Sequence, residues 1–379
     1  MSGEWMKDYL ANFLLLLMLF IPFQFSILPS FGIFILPFSE LIIAEFGTFL
    51  FPNCTYCLWL IGSDNAGIYL LAILLLPLVL LVQVLFKRCT SSPRLFDVIR
   101  YLLLLYLSMQ LMRYGLDKVF LNQFGFPEAN LLYTPIGNME KDILFWTCMG
   151  SSPLLSIVTG ATEVLVGLAL LFKQTRIFAL MTATLILFHI FLLNISFQID
   201  VRFYSFFLFS IGFLLSLEQW KTLIKSIQQG KLELDLSTDC FCISKWAKAL
   251  LVTLIFLDLS FPHLANGEKA LAIPAEISSA YQCNESDNQS GVQRIFFHSQ
   301  GYIIFESEHA LMTSEKIYFD PVKNLILFED ETSKLSYQIK GDTLSIHGIN
   351  GEVQLDWQGI VIDLESLSLV KDKFSLTSN

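Results

Sequence analysis

Seven stretches of this chain are apolar enough, and long enough, to cross roughly 30 Å of hydrocarbon, which takes about 20 residues of helix. They run approximately over 9–28, 67–86, 97–118, 152–172, 177–196, 201–219 and 246–265. Nothing else constrains the fold as strongly. In lipid a segment has to pair its own backbone N–H and C=O groups, so stretches of this kind become helices. Composition agrees: 54% of the 379 residues are hydrophobic, 15% are charged and 35 are Phe. A soluble core does not absorb that much apolar surface, and the expected class is a polytopic α-helical membrane protein. One further apolar segment, 31–51, contains Pro37, Glu40 and Glu45, which predicts an interfacial or re-entrant piece.

Orientation follows from the cations. Lys87, Arg88 and Arg94 follow the second stretch, Lys173 and Arg176 the fourth, and Lys221, Lys225, Lys231, Lys245 and Lys248 lie between the sixth and seventh. Residues 29–66 contain neither Lys nor Arg. The alternation predicts an inside N-terminus, about seven crossings and an outside C-terminus. The first stretch reads as an uncleaved signal anchor, because no A-x-A-like site closes it.

The net charge of −10 is concentrated in the tail. From Gly267 onward there are 8 Lys and Arg against 17 Asp and Glu, a balance of −9. Such a surface excludes nucleic acid as a partner. Partially alternating runs such as "RIFFHSQGYIIFES", "EKIYFDPVKNLILFED" and "KLSYQIKGDTLSIHGINGEVQLDW" are broken by Asp-Pro, Lys-Gly-Asp and Asn-Gly turn signals. They predict five to seven antiparallel strands in a small barrel or sandwich. Four regions result: 1–94 with two spans, 95–220 with four, 221–266 with a connector and the seventh span, and a 267–379 β domain outside.

The third stretch ends in a charged constellation, "MQLMRYGLDKV". Arg113 and Asp117 are i,i+4, Tyr114 and Lys118 likewise, and Gln110 lies one turn earlier, so all five share one broad helix face. Arg113 sits roughly 8 Å inside the helix end. Two readings stand: snorkelling to the headgroups, or a polar pocket within the bundle. Glu163 lies near the middle of the fourth stretch, in a small-residue stripe with Gly160 and Gly167 that lets another helix approach. A carboxylate there needs a cation, and Arg113 or Lys118 supplies it if the third and fourth spans pack antiparallel. The pair would either fix packing alone or handle a proton or a headgroup. Asn194 stands near the outer end of the fifth span, and Asp200 and Arg202 open the sixth, toward the same outer face as Lys118.

His189, alone in its apolar helix, reads as a bundle residue and supports neither haem nor zinc. Cys54-x-x-Cys57 reads as a structural disulfide or free thiols rather than a redox pair, since no thioredoxin-like βαβ pattern surrounds it. Topology puts Cys148 and Cys283 outside and Cys240 and Cys242 inside. Sequons occur at Asn53, Asn284 and Asn288. There is no nucleotide motif, no Ser-His-Asp arrangement and no metal spacing. The lack of an inverted repeat disfavours a transporter.

Residues 97–220 also carry an ordered set of motifs: "RYGLDKVFLNQFGFP", "LLYTPIGN", "FWTCMGSSPLLSIVTGATEVLVGLALLFKQTR" and "LLNISFQIDVRF". In this order the segment resembles the DoxX family of bacterial four-helix membrane proteins. The chain looks like a longer variant, with two leading spans, one trailing span and an appended β domain. The resemblance implies the bacterial cytoplasmic membrane. It also implies association with membrane redox chemistry, a quinone as candidate cofactor, and an exported redox protein as candidate partner. Carried over by position, Lys118, Glu163, Asn194 and Asp200 stand at the family's polar positions. Arg202 stands where the family pattern has Lys, and the proline usual nearby is absent, so the identity of a bound anion does not carry over.

Two functions are therefore expected. In one, Arg113, Asp117, Lys118, Glu163, Asn194, Asp200 and Arg202 line a pocket that binds a quinone or lipid. The loop "FLNQFGFPEANLLYTPIGN" would lie over it, with Phe120, Phe124, Phe126 and Tyr133 against acyl chains or an isoprenoid. In the other, the protein is a non-enzymatic anchor or assembly factor whose β domain binds an exported protein.

Overall fold

The apolar stretches fold as helices in a computed structural model. It describes residues 3–21, 32–52, 64–85, 93–229, 249, 252–253, 256–257, 273–274, 276–283, 291–307, 311–329, 333–350, 353–367 and 369–370. Among the described residues, five helices are long and apolar enough to cross a membrane: α3 (Ala66–Leu85), α4 (Pro93–Val119, apolar from Leu95), α7 (Pro153–Leu170), α8 (Arg176–Ser196) and α9 (Arg202–Gln229). Two helices precede them, α1 (Gly3–Phe20) and α2 (Gly32–Leu50). The predicted first span falls on α1, which begins earlier than expected and carries Glu4, Lys7 and Asp8 in its first turns. Within the segment 31–51, Gly32–Leu50 form the helix α2, which runs through Pro37, Glu40 and Glu45. Most of the predicted seventh span lies outside the described residues, as do Cys54, Cys57, Cys240, Cys242, Asn53, Asn284 and Asn288.

The chain divides into two compact units. The first comprises Met1–Gln123 and Leu154–Ala265, and the second Phe124–Pro153 and Asn266–Asn379. Residues 124–153 are thus grouped with the C-terminal β strands rather than with the helices on either side of them.

In the helical unit, α8 and α9 form an antiparallel hairpin. Thr184 and Ser216 hydroxyls meet across it at 3.0 Å. The α8 end is closed by Ile199 N–H donating to the Asn194 carbonyl at 3.0 Å, with Gln198 left-handed at φ 57°. The end of α4 closes the same way: Asn122 N–H donates to the Asp117 carbonyl at 2.8 Å, with Leu121 at φ 56°. Each is a Schellman-type stop with a non-glycine residue where glycine is commonest. One end of α1 is tied by Lys7 to Glu218, and the residue after its other end by the Tyr106 hydroxyl donating to the Ile21 carbonyl at 2.7 Å.

The tail is a closed barrel of eight antiparallel strands in sequence order: β1 (Ala280–Cys283), β2 (Val292–His298), β3 (Tyr302–Ser307), β4 (Met312–Asp320), β5 (Leu325–Phe328), β6 (Lys334–Lys340), β7 (Thr343–Asn350) and β8 (Val353–Val361). The three quoted runs supply β2 to β8. The eighth strand, β1, precedes them and closes the barrel by pairing Tyr281 with Val361. Closure removes the exposed edges that an open sheet presents. Turn chemistry matches the strand order: Asp320-Pro321 opens the β4–β5 connection, and Gly341 at φ 59° sits in the two-residue β6–β7 turn. Ile295, Phe297, Ile303, Ile317, Ile326, Leu335, Leu344, Ile346 and Trp357 fill the interior. The Trp357 ring lies over Gly359, where a Cβ would collide with it, and its indole donates to the Val292 carbonyl at 2.9 Å.

The recruited segment carries two short helices, α5 (Ala129–Tyr133) and α6 (Lys141–Gly150). Ala129 and Tyr133 pack on Phe296 and Ile304, which point outward from β2 and β3. Arg294 and Glu306 face each other across these strands, joined at 2.9 Å, and the Arg294 guanidinium stacks 4.5 Å from the Tyr133 ring. Ser299 donates to Glu128 just ahead of α5. Phe124 is 5% exposed and packs on Phe145 and Trp146. Phe124 and Tyr133 therefore bury against their own unit, whereas Phe120 and Phe126 remain exposed. Phe124 is covered by α6, whereas Tyr133 is drawn in by apolar side chains on the outer face of the barrel. Those side chains need a cover, and an aromatic residue of the segment supplies it.

Candidate functional site

The α4–α7 contact is built on glycine. Gly160, Glu163 and Gly167 lie on the buried face of α7 with Ser156. A Cβ on Gly115 would meet the Gly160 carbonyl oxygen at 2.6 Å, and one on Gly160 would meet Lys118 Cβ at 2.7 Å. Backbones this close exclude any side chain larger than hydrogen. Ser108 of α4 donates to the Gly167 carbonyl at 2.7 Å and pins the crossing two turns further along. Residues 108, 115 and 118 of α4 thus meet 167, 160 and 163 of α7, so the two helices run antiparallel.

This crossing brings Lys118 to Glu163. The Lys118 ammonium donates to Glu163 Oε1, with side chains 9% and 5% exposed. The cation the carboxylate requires is therefore Lys118, and snorkelling does not describe it. Glu163 Oε2 is buried without a hydrogen-bond donor. A buried acceptor left unpaired costs about 1–3 kcal/mol, more when charged. Arg113 and Asp117, on the same stretch of α4, are half-buried.

A second cluster forms where α3 and α9 begin. Asp64 was not singled out by its sequence. Its carboxylate accepts from Arg202 Nε at 2.7 Å, from the backbone N–H groups of Arg202 and Phe203 at 2.9 Å each, and from the Tyr69 hydroxyl at 3.2 Å. Its side chain is 3% exposed. It acts as an N-terminal cap for α9 supplied by a distant part of the chain, where the unpaired N–H groups and the helix dipole favour an anion. Burial pushes the Asp64 carboxyl up, but the bonds from Arg202, Phe203 and Tyr69 outweigh it and hold the group below its ordinary range. Asp200 pairs with Arg202 at 3.2 Å but is 78% exposed, and such a pair contributes little.

The predicted site residues are thus gathered into two sets: Lys118 with Glu163, and Arg202 with Asp200 and the unforeseen Asp64. Asn194 is buried at the end of α8, whereas His189 is exposed on α8 rather than inside the bundle. Sequence reasoning also passed over Tyr106 and Tyr204, whose hydroxyls lie 3.3 Å apart, with the Tyr204 ring 6.2 Å from Tyr114. Their only sequence signal is a hydroxyl at i−8 from Tyr114 on the same face of α4. Cys148 and Cys283 both belong to the barrel unit, Cys148 exposed and Cys283 half-buried. Comparison with protein-family models, with curated proteins and with solved structures found no match to this chain.

Proposed function

We propose that the chain is an integral protein of a bacterial cytoplasmic membrane in which α4, α7, α8 and α9 form a DoxX-like bundle. In this reading the Lys118–Glu163 pair serves membrane redox chemistry by binding a quinone-like or lipid headgroup. One observation carries it. The pair is buried in a glycine-lined helix crossing, and one carboxylate oxygen has no donor. A crossing that needed only packing would gain from apolar side chains, which carry no desolvation cost. Ionisable groups kept inside a membrane more often mark a ligand or proton path. Lys118 would donate to a headgroup oxygen, and Glu163 would accept a proton or a hydroxyl.

Seven crossings with the barrel outside are part of the proposal, and parity supports them. The positive-inside alternation puts residues 124–153 outside, so α7 leaves from the outer side. Three helices of spanning length follow, α7, α8 and α9. The chain must then cross once more to bring the barrel back, and the apolar run 246–265 is the means. The positive-inside pattern assigns that side as outside.

The test is mass spectrometry of the organic extract of protein purified in mild detergent, wild type beside Glu163→Gln. A quinone enriched to about one per chain in wild type and lost in the variant is the expected result. No enrichment in either, with both folded, rejects the reading.

A second reading, anchor or assembly factor, is favoured by a different observation. The C-terminal strands close into a barrel of their own, in a compact unit separate from the spanning helices. That suits a platform for an exported protein. Photocrosslinking in intact cells from Val322, which is 91% exposed, should then yield one discrete adduct. A smear or no adduct opposes it.

A further inference from the structure

We infer that the Lys118–Glu163 site selects a hydroxyl carried on an apolar body over a carbonyl on a similar body; the inference rests on reading this pair as a ligand site. The donor and acceptor inventory of the pair carries the argument. An ionised carboxylate only accepts hydrogen bonds, and an ammonium only donates three. Lys118 gives one hydrogen to Glu163 Oε1, which leaves it with donors to spare. Glu163 Oε2 is left as a buried acceptor that no described residue satisfies. Ser108, a hydroxyl on the α4 side of this crossing, is committed to the Gly167 carbonyl. A ligand carbonyl could accept from Lys118 but would leave Oε2 unpaired, and its own negative end would face a carboxylate. A ligand hydroxyl accepts from Lys118 and donates to Oε2 with the same oxygen, so it completes both partners. The difference between the two ligands is one buried charged acceptor left without a donor, which corresponds to a preference of about tenfold to hundredfold.

Two sources share this chemistry, the reduced form of a quinone and the free hydroxyl of a neutral lipid. Full-length protein in nanodiscs is titrated with three probes. These are a decyl-substituted benzoquinone, its quinol generated with dithionite and kept anaerobic, and dioctanoylglycerol. Each is measured with wild type and with Glu163→Gln, and thermal melts confirm the fold. Glutamine offers both a donor and an acceptor, so it should accommodate the carbonyl and lower the preference to within about twofold. The expected result is quinol binding at least about tenfold tighter than quinone in wild type, with the gap lost in the variant. Dioctanoylglycerol binding that depends on Glu163, with neither ring probe bound, sustains hydroxyl selection and rejects the quinone reading. Quinone bound as tightly as quinol overturns the selection but leaves the quinone reading standing. A preference that persists in Glu163→Gln overturns the assignment to this site, and no binding of any probe overturns both. The wild-type preference decides the matter even if the variant does not fold.

Discussion

Lys118 and Glu163 have given up water together, so removing one should cost more than removing both. Lys118→Met leaves a carboxylate buried without its cation, and a loss of about 3–5 kcal/mol is expected. Lys118→Met combined with Glu163→Leu should recover most of it, because a matched apolar pair has no desolvation cost. Thermal unfolding of the three proteins in one detergent checks this, and a double variant no better than the single one would refute the coupling. Asp64 makes a pH-dependent contribution. Its folded pKa lies below the unfolded value of about 3.9, so its stabilisation is full above that value. It is lost as pH falls through the lower, folded value. Asp64→Asn should cost about 1.5–3 kcal/mol near neutrality and flatten the acid side of the stability profile. A profile parallel to wild type between about pH 5 and 2 would show that Asp64 does not carry this dependence.

Among the elements, the α4–α7 crossing tolerates no bulk. Gly160→Leu must push Lys118 and Val119 aside, and a loss of about 3 kcal/mol or more is expected from overpacking. Gly137, with open space around its Cβ position, is the control, and Gly137→Ala should melt within about 0.5 kcal/mol of wild type. Helix α5 poses the opposite problem. Five residues cannot sustain a helix in water, so α5 exists because Ala129 and Tyr133 bury against Phe296 and Ile304. Tyr133→Ala removes that cover and the stacking on Arg294, at a cost of about 2 kcal/mol. Hydrogen exchange followed by mass spectrometry should then show faster exchange in peptides covering 292–307, with 334–347 unchanged. Equal protection across both regions would mean that the barrel stands without its cover.

For the whole molecule, the parity argument predicts which sites share a face. Single cysteines placed at Asn138 and Val322 should react with a membrane-impermeant maleimide from one side, and one at Gln174 only from the other. Asn138 and Val322 labelling from opposite sides would break the topology. Much of this plan is legible in the chain. A backbone in lipid has no partner but itself, so each long apolar stretch announces a helix, and the stretches 67–86, 97–118, 152–172, 177–196 and 201–219 each fall on one of the long apolar helices, the last of which runs on to Gln229. Turn chemistry and partial alternation likewise announced strands β2 to β8. The uneven alternation was itself a signal. "IFF" and "YIIF" run apolar without alternating because β2 and β3 are buried on both faces, a pattern that calls for a cover the sequence does not name. The site was half legible. The glycine stripe and Glu163 called for a cation, but Arg113 and Lys118 were equal candidates until the register of two helices put Lys118 opposite. Asp64 stood 138 positions from its partner, in a stretch with no cation to suggest a role. Periodicity and solvent preference are properties of a segment, so the sequence alone determined which parts are helix, which are strand and where charge is expensive. Register, the pairing of distant charges, and the attachment of residues 124–153 to a barrel that begins more than a hundred residues later are properties of surfaces that meet. Only the tertiary structure decided those, because close packing selects among partners that the sequence leaves equivalent.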